Sequence, residues 1–220
     1  MFGVHPMFLV GGAAQAQVAY ADYDFQVVNQ TTYTFTGIDI GAASSDRHVV
    51  VIIGGGANSR TVSSVTVNGQ PCTVVATTTF SVRDAGMAIT DSPVTSGTTA
   101  TIVVTWSGSN NRCHIGTYAV TGLQSTTPTD TGINSGTGTP SNRSTTLDIS
   151  AGGIGIGLFV NSSGSAGSTT WGGLTEDFDL SGDGTICLSG ASLESSSAQT
   201  GLSVTADGSS VCILIAASWR

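Results

Sequence analysis

Three histidines, His5, His48 and His114, are the only imidazoles in this 220-residue chain, and they limit what hydrolytic chemistry it could perform. Nucleophilic hydrolysis needs a serine activated by a histidine that a carboxylate orients, and the sequence has no G-x-S-x-G elbow to present such a serine. His48 opens an apolar run. His114 alternates with Cys113 and Ile115 and so points to the other side of its strand, with Gly116 and Tyr118. The dense carboxylate cluster is Glu176-Asp177-Phe178-Asp179 with Asp183, and a polysaccharide hydrolase would need a pair such as Glu176 and Asp179 to face each other across a groove. Asp179, Ser181, Asp183 and Gly184 also match the first, third, fifth and sixth positions of a calcium loop. The twelfth position is Gly190, where that loop uses a bidentate Glu. Gly54-Gly55-Gly56 lacks phosphate-loop spacing and reads as a turn. No catalytic residue, metal site or cofactor is expected.

Binding chemistry narrows to one aromatic. Trp106 alternates with Ile102 and Val104, and Trp219 with Ile213 and Ile215, so both belong to a core. Trp171 lies between Thr169-Thr170 and Gly172-Gly173 and is the candidate ligand contact, for instance against a sugar ring. The cysteines, Cys72, Cys113, Cys187 and Cys212, have no metal-ligand spacing, and those inside apolar runs read as reduced core thiols.

The elements that hold these residues are strands. Gly, Thr and Ser number 30, 32 and 29, and Lys is absent. Thr and Val suit a pleated sheet, and Gly and Ser suit tight turns. Charged residues make up 9% and the net charge is −8. The six arginines are scattered singly, so nucleic acid, which needs a basic stripe, is not an expected partner. No apolar run is long enough for a transmembrane helix, and no membrane partner is expected.

Arg47 to Ile53 is a continuous apolar run that predicts a central strand with both faces covered. Thr32 to Ile40 alternates, with Tyr33 and Phe35 inward and an irregularity at Gly37. Asn68-Gly69 between alternating residues predicts a type I′ hairpin. Further strands follow to Val211–Trp219, while the Thr-, Gly-, Pro- and Asn-rich stretch 124–144 reads as a surface loop and the second half as completing the sheets of the first. The fold expected is all-β, one antiparallel jelly-roll-like sandwich of about twelve strands over residues 23–220. Residues 1–22 are expected to form an extended arm. Met7-Phe8-Leu9-Val10 followed by Gly11-Gly12-Ala13-Ala14 imitates a signal peptide, but no Lys or Arg precedes it. Phe2, Met7, Phe8, Leu9 and Val10 are instead candidates for docking on a neighbouring subunit.

Several segments carry a resemblance: Thr36-Gly37-Ile38-Asp39-Ile40-Gly41-Ala42-Ala43-Ser44-Ser45-Asp46-Arg47, then Val62-Ser63-Ser64-Val65-Thr66-Val67-Asn68-Gly69. Arg112-Cys113 leading to Tyr118-Ala119-Val120-Thr121-Gly122-Leu123, Ala151-Gly152-Gly153, Thr170-Trp171-Gly172-Gly173-Leu174-Thr175-Glu176 and Ala216-Ala217-Ser218-Trp219 continue it. In this order they make residues 36–219 similar to small structural proteins of tailed bacteriophages that infect alphaproteobacteria. The resemblance implies a non-enzymatic virion component assembled in the bacterial cytoplasm. It would be a capsid decoration (cement) protein or a tail or fibre part. Its expected partners are the major capsid or tail protein and copies of itself in a symmetric oligomer, a trimer being one such arrangement. A host-glycan-binding adhesin, using Trp171, is the alternative, and a surface-polysaccharide hydrolase the third.

Overall fold

A strand with two apolar faces needs a partner layer on each side, and this chain provides those layers by stacking two curled sheets. The computed structural model describes residues 15–56, 59–162 and 165–220, which contain strands and turns but no helix. The first sheet takes β1 (Gln17–Gln26), β2 (Gln30–Asp39), β3 (His48–Gly55), β4 (Val62–Val67), β5 (Gln70–Phe80), β6 (Arg83–Thr90), β7 (Thr99–Asn110) and β8 (Cys113–Thr121). Their order is β1-β8-β3-β6-β5-β4-β7-β2. The second takes β9 (Asp130–Ile149), β10 (Gly153–Asn161), β11 (Thr170–Gly172), β12 (Thr175–Leu180), β13 (Cys187–Ser195) and β14 (Gln199–Trp219). Their order is β11-β14-β10-β13-β12, with β9 also paired to β14. All the pairings are antiparallel.

Three cores result. Val49, Val51 and Ile53 of β3 point into the curl of the first sheet with Tyr33, Phe35 and Trp106. Val50 and Ile52 point the other way, against Ile156 and Leu158 of β10 and Ile213 and Ile215 of β14. Phe159 and Leu214, on the far side of the second sheet, meet Leu147, Ile149 and Val204 in a core of their own. Both faces of β3, β10 and the last stretch of β14, residues 212–219, are therefore buried, which is why these segments read as apolar runs.

The first sheet is nearly closed, because its edges β1 and β2 meet through side chains. Gln26 Nε2 donates to Thr34 O at 2.7 Å, and Asp39 N to Asp22 Oδ2 at 2.9 Å. The second sheet folds over where β9 and β14 bend. Ladder register slips between Gly208 and Ser210, and Ser210 takes φ 67°, as a bulge allows. The two arms of β9 then lie against each other. Asn134 Nδ2 donates to Ser144 O at 2.6 Å, Arg143 donates to Ser135 O and Thr137 O at 3.4 and 3.5 Å, and Asp148 N donates to Asp130 Oδ2 at 2.8 Å.

The expected single sandwich of about twelve strands is corrected. The described residues hold fourteen strand elements, or sixteen in three sheets when the arms of the long strands are counted apart. The second half builds a separate sheet because β9 and β14 pair with each other and not with the first sheet. Most of 124–144 is strand β9 and not loop, and Gly54 and Gly55 belong to β3 and not to a turn. Residues 17–22, drawn as arm, are half of β1, because that segment finds a ladder partner in β8.

Register defines two poles. Gln26, Gly55 and Asp84 align with Cys113 at one end, where the β1–β2 connection, the β5–β6 turn and the loop 181–186 gather. Gln17 and His48 align with Thr121 and Val120 at the other, where Ala16 N donates to Gly152 O at 2.9 Å.

Candidate functional site

The densest polar cluster lies between the sheets at the first pole. β1 presents Tyr23 and Phe25, β8 presents His114 on the face away from the first core, and the loop before β13 presents Asp183. Tyr23 Oη accepts from Gly182 N at 3.0 Å and lies 2.8 Å from His114 Nδ1. His114 Nε2 faces Asp183 Oδ2 at 3.4 Å. Arg112 NH1 pairs with the same carboxylate oxygen, and Asp183 Oδ1 accepts from Thr185 N and Ile186 N at 2.8 and 3.0 Å. With its proton on Nε2 the imidazole accepts from Tyr23, while Nε2 faces Asp183 without a formed hydrogen bond.

This Tyr–His–Asp chain is closely packed. His114 is fully buried and Phe25 stacks on it, with ring centroids 5.4 Å apart and planes at 26°. Burial pushes the Tyr23 phenol well above its ordinary range, so it stays neutral. Burial also raises Asp183, but His114 and the backbone N–H groups of Ile186 and Thr185 outweigh it and hold the carboxyl well below the usual range. The cluster is an ion-paired clasp joining the sheets.

The candidates read from the sequence sit elsewhere. Trp171 on β11 is half-buried. Its Nε1 donates to Ser189 Oγ at 2.7 Å, and its ring meets Phe159 edge-on at 6.3 Å. It thus walls the third core while keeping part of its ring at the surface. Asp179 is buried, accepting from Thr169 N at 2.7 Å and from Cys187 Sγ, whereas Glu176 stands exposed on β12. Asp179 and Asp183 thus turn to different partners. Among the described residues no His, Cys, Asp or Glu group gathers as metal donors. The four cysteines are free thiols, three of them buried. Phe2, Met7, Phe8, Leu9 and Val10 lie outside the described residues.

A cleft of about 360 Å³ opens at the second pole, where Val18 and Ala19 part from Gly41 and Ala42. Its walls are small and apolar, and its carboxylate, Glu194, already accepts from Val18 N at 2.9 Å.

Sequence reasoning missed the work done by the arginines. Arg47, fully buried, donates to the carbonyls of Val94, Gly41, Ser96 and Gly97. Arg60 donates to Ser109 O, Arg83 to Thr185 O, Arg143 to Ser135 O and Arg220 to Gly152 O, while Arg112 pairs with Asp183. None of the six is exposed. Their scarcity in a chain without lysine is the signal that could have marked them as structural. Compared with known proteins, the chain matches no family model and no curated sequence.

Proposed function

We propose that this chain is a non-enzymatic structural component of a tailed-bacteriophage particle, a capsid decoration or tail-associated protein that acts through contacts with virion proteins and with copies of itself. The observation that carries this reading is that all six arginines are bonded to the chain's own acceptors. The surface left is weakly charged, acidic and rich in hydroxyls, suited to close packing among neighbours rather than to phosphate or nucleic acid. The resemblance over residues 36–219 points the same way, and the apolar residues Phe2, Met7, Phe8, Leu9 and Val10 supply the contact.

Deleting residues 1–14 leaves β1 whole and provides the test. In particles assembled with the deletion variant, the protein is expected to be missing while the purified domain melts as the full chain does. Normal incorporation of the variant, measured by mass spectrometry of purified particles, would sink the reading.

A further inference from the structure

Five large hydrophobic side chains are exposed among the described residues: Val27, Val28, Val82, Ile133 and Leu180. Scattered singly they would mean little. Four of the five, all but Ile133, lie at the first pole. Val27 and Val28, 52% and 54% exposed, form the β1–β2 connection. Val82 lies in the β5–β6 turn, and Leu180 ends β12 at the start of the loop 181–186.

Specific contacts tie these tips together. The Phe25 ring lies directly over Gly182, leaving no room for a Cβ there. Arg83 NH2 donates to Thr185 O at 3.1 Å, and Tyr33 Oη holds Val28 O at 2.5 Å. These contacts set Val27, Val28, Val82 and Leu180 around the loop 181–186.

The apolar sequence of residues 1–14 precedes Ala16, which lies at the opposite pole. Ala16 is buried there, its N–H on Gly152 O, and β1 runs from that pole toward the apolar one. Fourteen residues precede Gln15, and extended they reach about 46–50 Å. To reach the apolar pole of its own copy, this segment would have to reverse and follow the ten residues of β1, about 33 Å, along a seam carrying Asp22, Asp24 and Asp39. The segment holds Phe2, Met7, Phe8, Leu9 and Val10 and no acidic residue. A second copy placed beyond the arm pole offers the patch directly.

We infer that copies of this chain associate head to tail, residues 1–14 of one docking on the pole formed by Val27, Val28, Val82 and Leu180 of the next. This rests on the arm reading above and adds the seat of the arm and the symmetry. Such an interface is heterologous: two different surfaces meet, so it closes only as a ring and otherwise runs on as a filament.

Sedimentation of the full chain against two variants tests it. Val27→Asp with Val28→Asp spoils the pole, and Phe8→Asp with Leu9→Asp spoils the arm. Wild type is expected to form assemblies that grow with concentration, and each variant alone to sediment at the monomer mass of 22.0 kDa with an unchanged melting curve. Mixed in equal amounts, the variants are expected to form a one-to-one pair and nothing larger, since one intact arm meets one intact pole. A monomeric wild type, a pole variant that still assembles, or a mixture that stays monomeric overturns the proposal. Assembly that survives the pole substitutions but is lost on deleting residues 1–14 removes this seat and leaves the arm reading intact.

Discussion

Arg47 shows how a residue with chemical potential becomes purely structural. Its guanidinium has no carboxylate partner, and four of its N–H groups donate to backbone carbonyls at 2.5–3.1 Å. The planar fork allows this where a lysine ammonium could not reach all four. Arg47→Lys is expected to lower stability by about 2 kcal/mol and Arg47→Met by more, since orphaned buried acceptors each cost about 1–3 kcal/mol; urea unfolding measures both. Asp183 adds a pH dependence. Its folded-state pKa lies below the unfolded value of about 4, so its contribution is full above that value. The contribution falls as pH drops below it, and is gone once pH passes the folded-state value. Asp183→Asn is expected to cost about 3 kcal/mol at pH 7, with the gap from wild type narrowing at pH 3; a gap independent of pH would contradict the clasp. The inward partners of Tyr23 were illegible beforehand, because β1 has no clean alternation and its contacts lie far away in sequence.

At the scale of elements, the sequence was legible where local chemistry decides. Asn68 and Gly69 take φ 50° and 78° between β4 and β5, the hairpin that Asn-Gly implies. Tyr33 and Phe35 point inward, and the register slips between Phe35 and Ile38, around Gly37. β3 is central, between β8 and β6. It was illegible in β9, where neither face needs large apolar residues along most of its length. Gly132 and Gly136 lie under Thr145 and Arg143 of the strand's own second arm, and the other face meets solvent. β10 shows the related pattern Gly153-Ile154-Gly155-Ile156-Gly157-Leu158. A Cβ at Gly157 would sit 2.7 Å from the Trp171 ring and 2.8 Å from Leu174, and Trp171 cannot swing away without losing Ser189. Gly157→Val is therefore expected to destabilise by about 1–3 kcal/mol and to alter near-ultraviolet circular dichroism, whereas Gly69→Asn meets open space and is expected to carry only the backbone strain of its φ of 78°, which Asn bears better than other residues, and to leave that spectrum unchanged.

For the molecule as a whole, the two halves of the chain make two sheets that cannot be independent. Val50, Ile52, Met87 and Tyr118 of the first are covered by Ile156, Leu158, Ile213 and Trp219 of the second, and the clasp of Arg112, His114 and Asp183 joins the same pair. Fluorescence of Trp106, Trp171 and Trp219 samples the three cores. Denaturant curves followed by fluorescence and by far-ultraviolet circular dichroism are expected to coincide in one transition; two separated transitions would show the sheets to be autonomous. The candidate site was less legible than the fold, because a cluster built from β1, β8 and a distant loop leaves no spacing signature.

The bent pair β9 and β14 also has a bearing on time. β14 is the last of the fourteen strands in sequence, yet it pairs with β9, β10 and β11 at once. In the first sheet the neighbours β4, β5 and β6 can zip as consecutive hairpins, whereas the second has no centre until β14 arrives. Its nascent form holds β10 with one unpaired edge and an apolar face uncovered, the kind of species that chaperones retain. Joining β14 to β9, β10 and β11 is therefore expected to be a late event in building the second sheet, visible as a slow phase in refolding followed by Trp219 fluorescence.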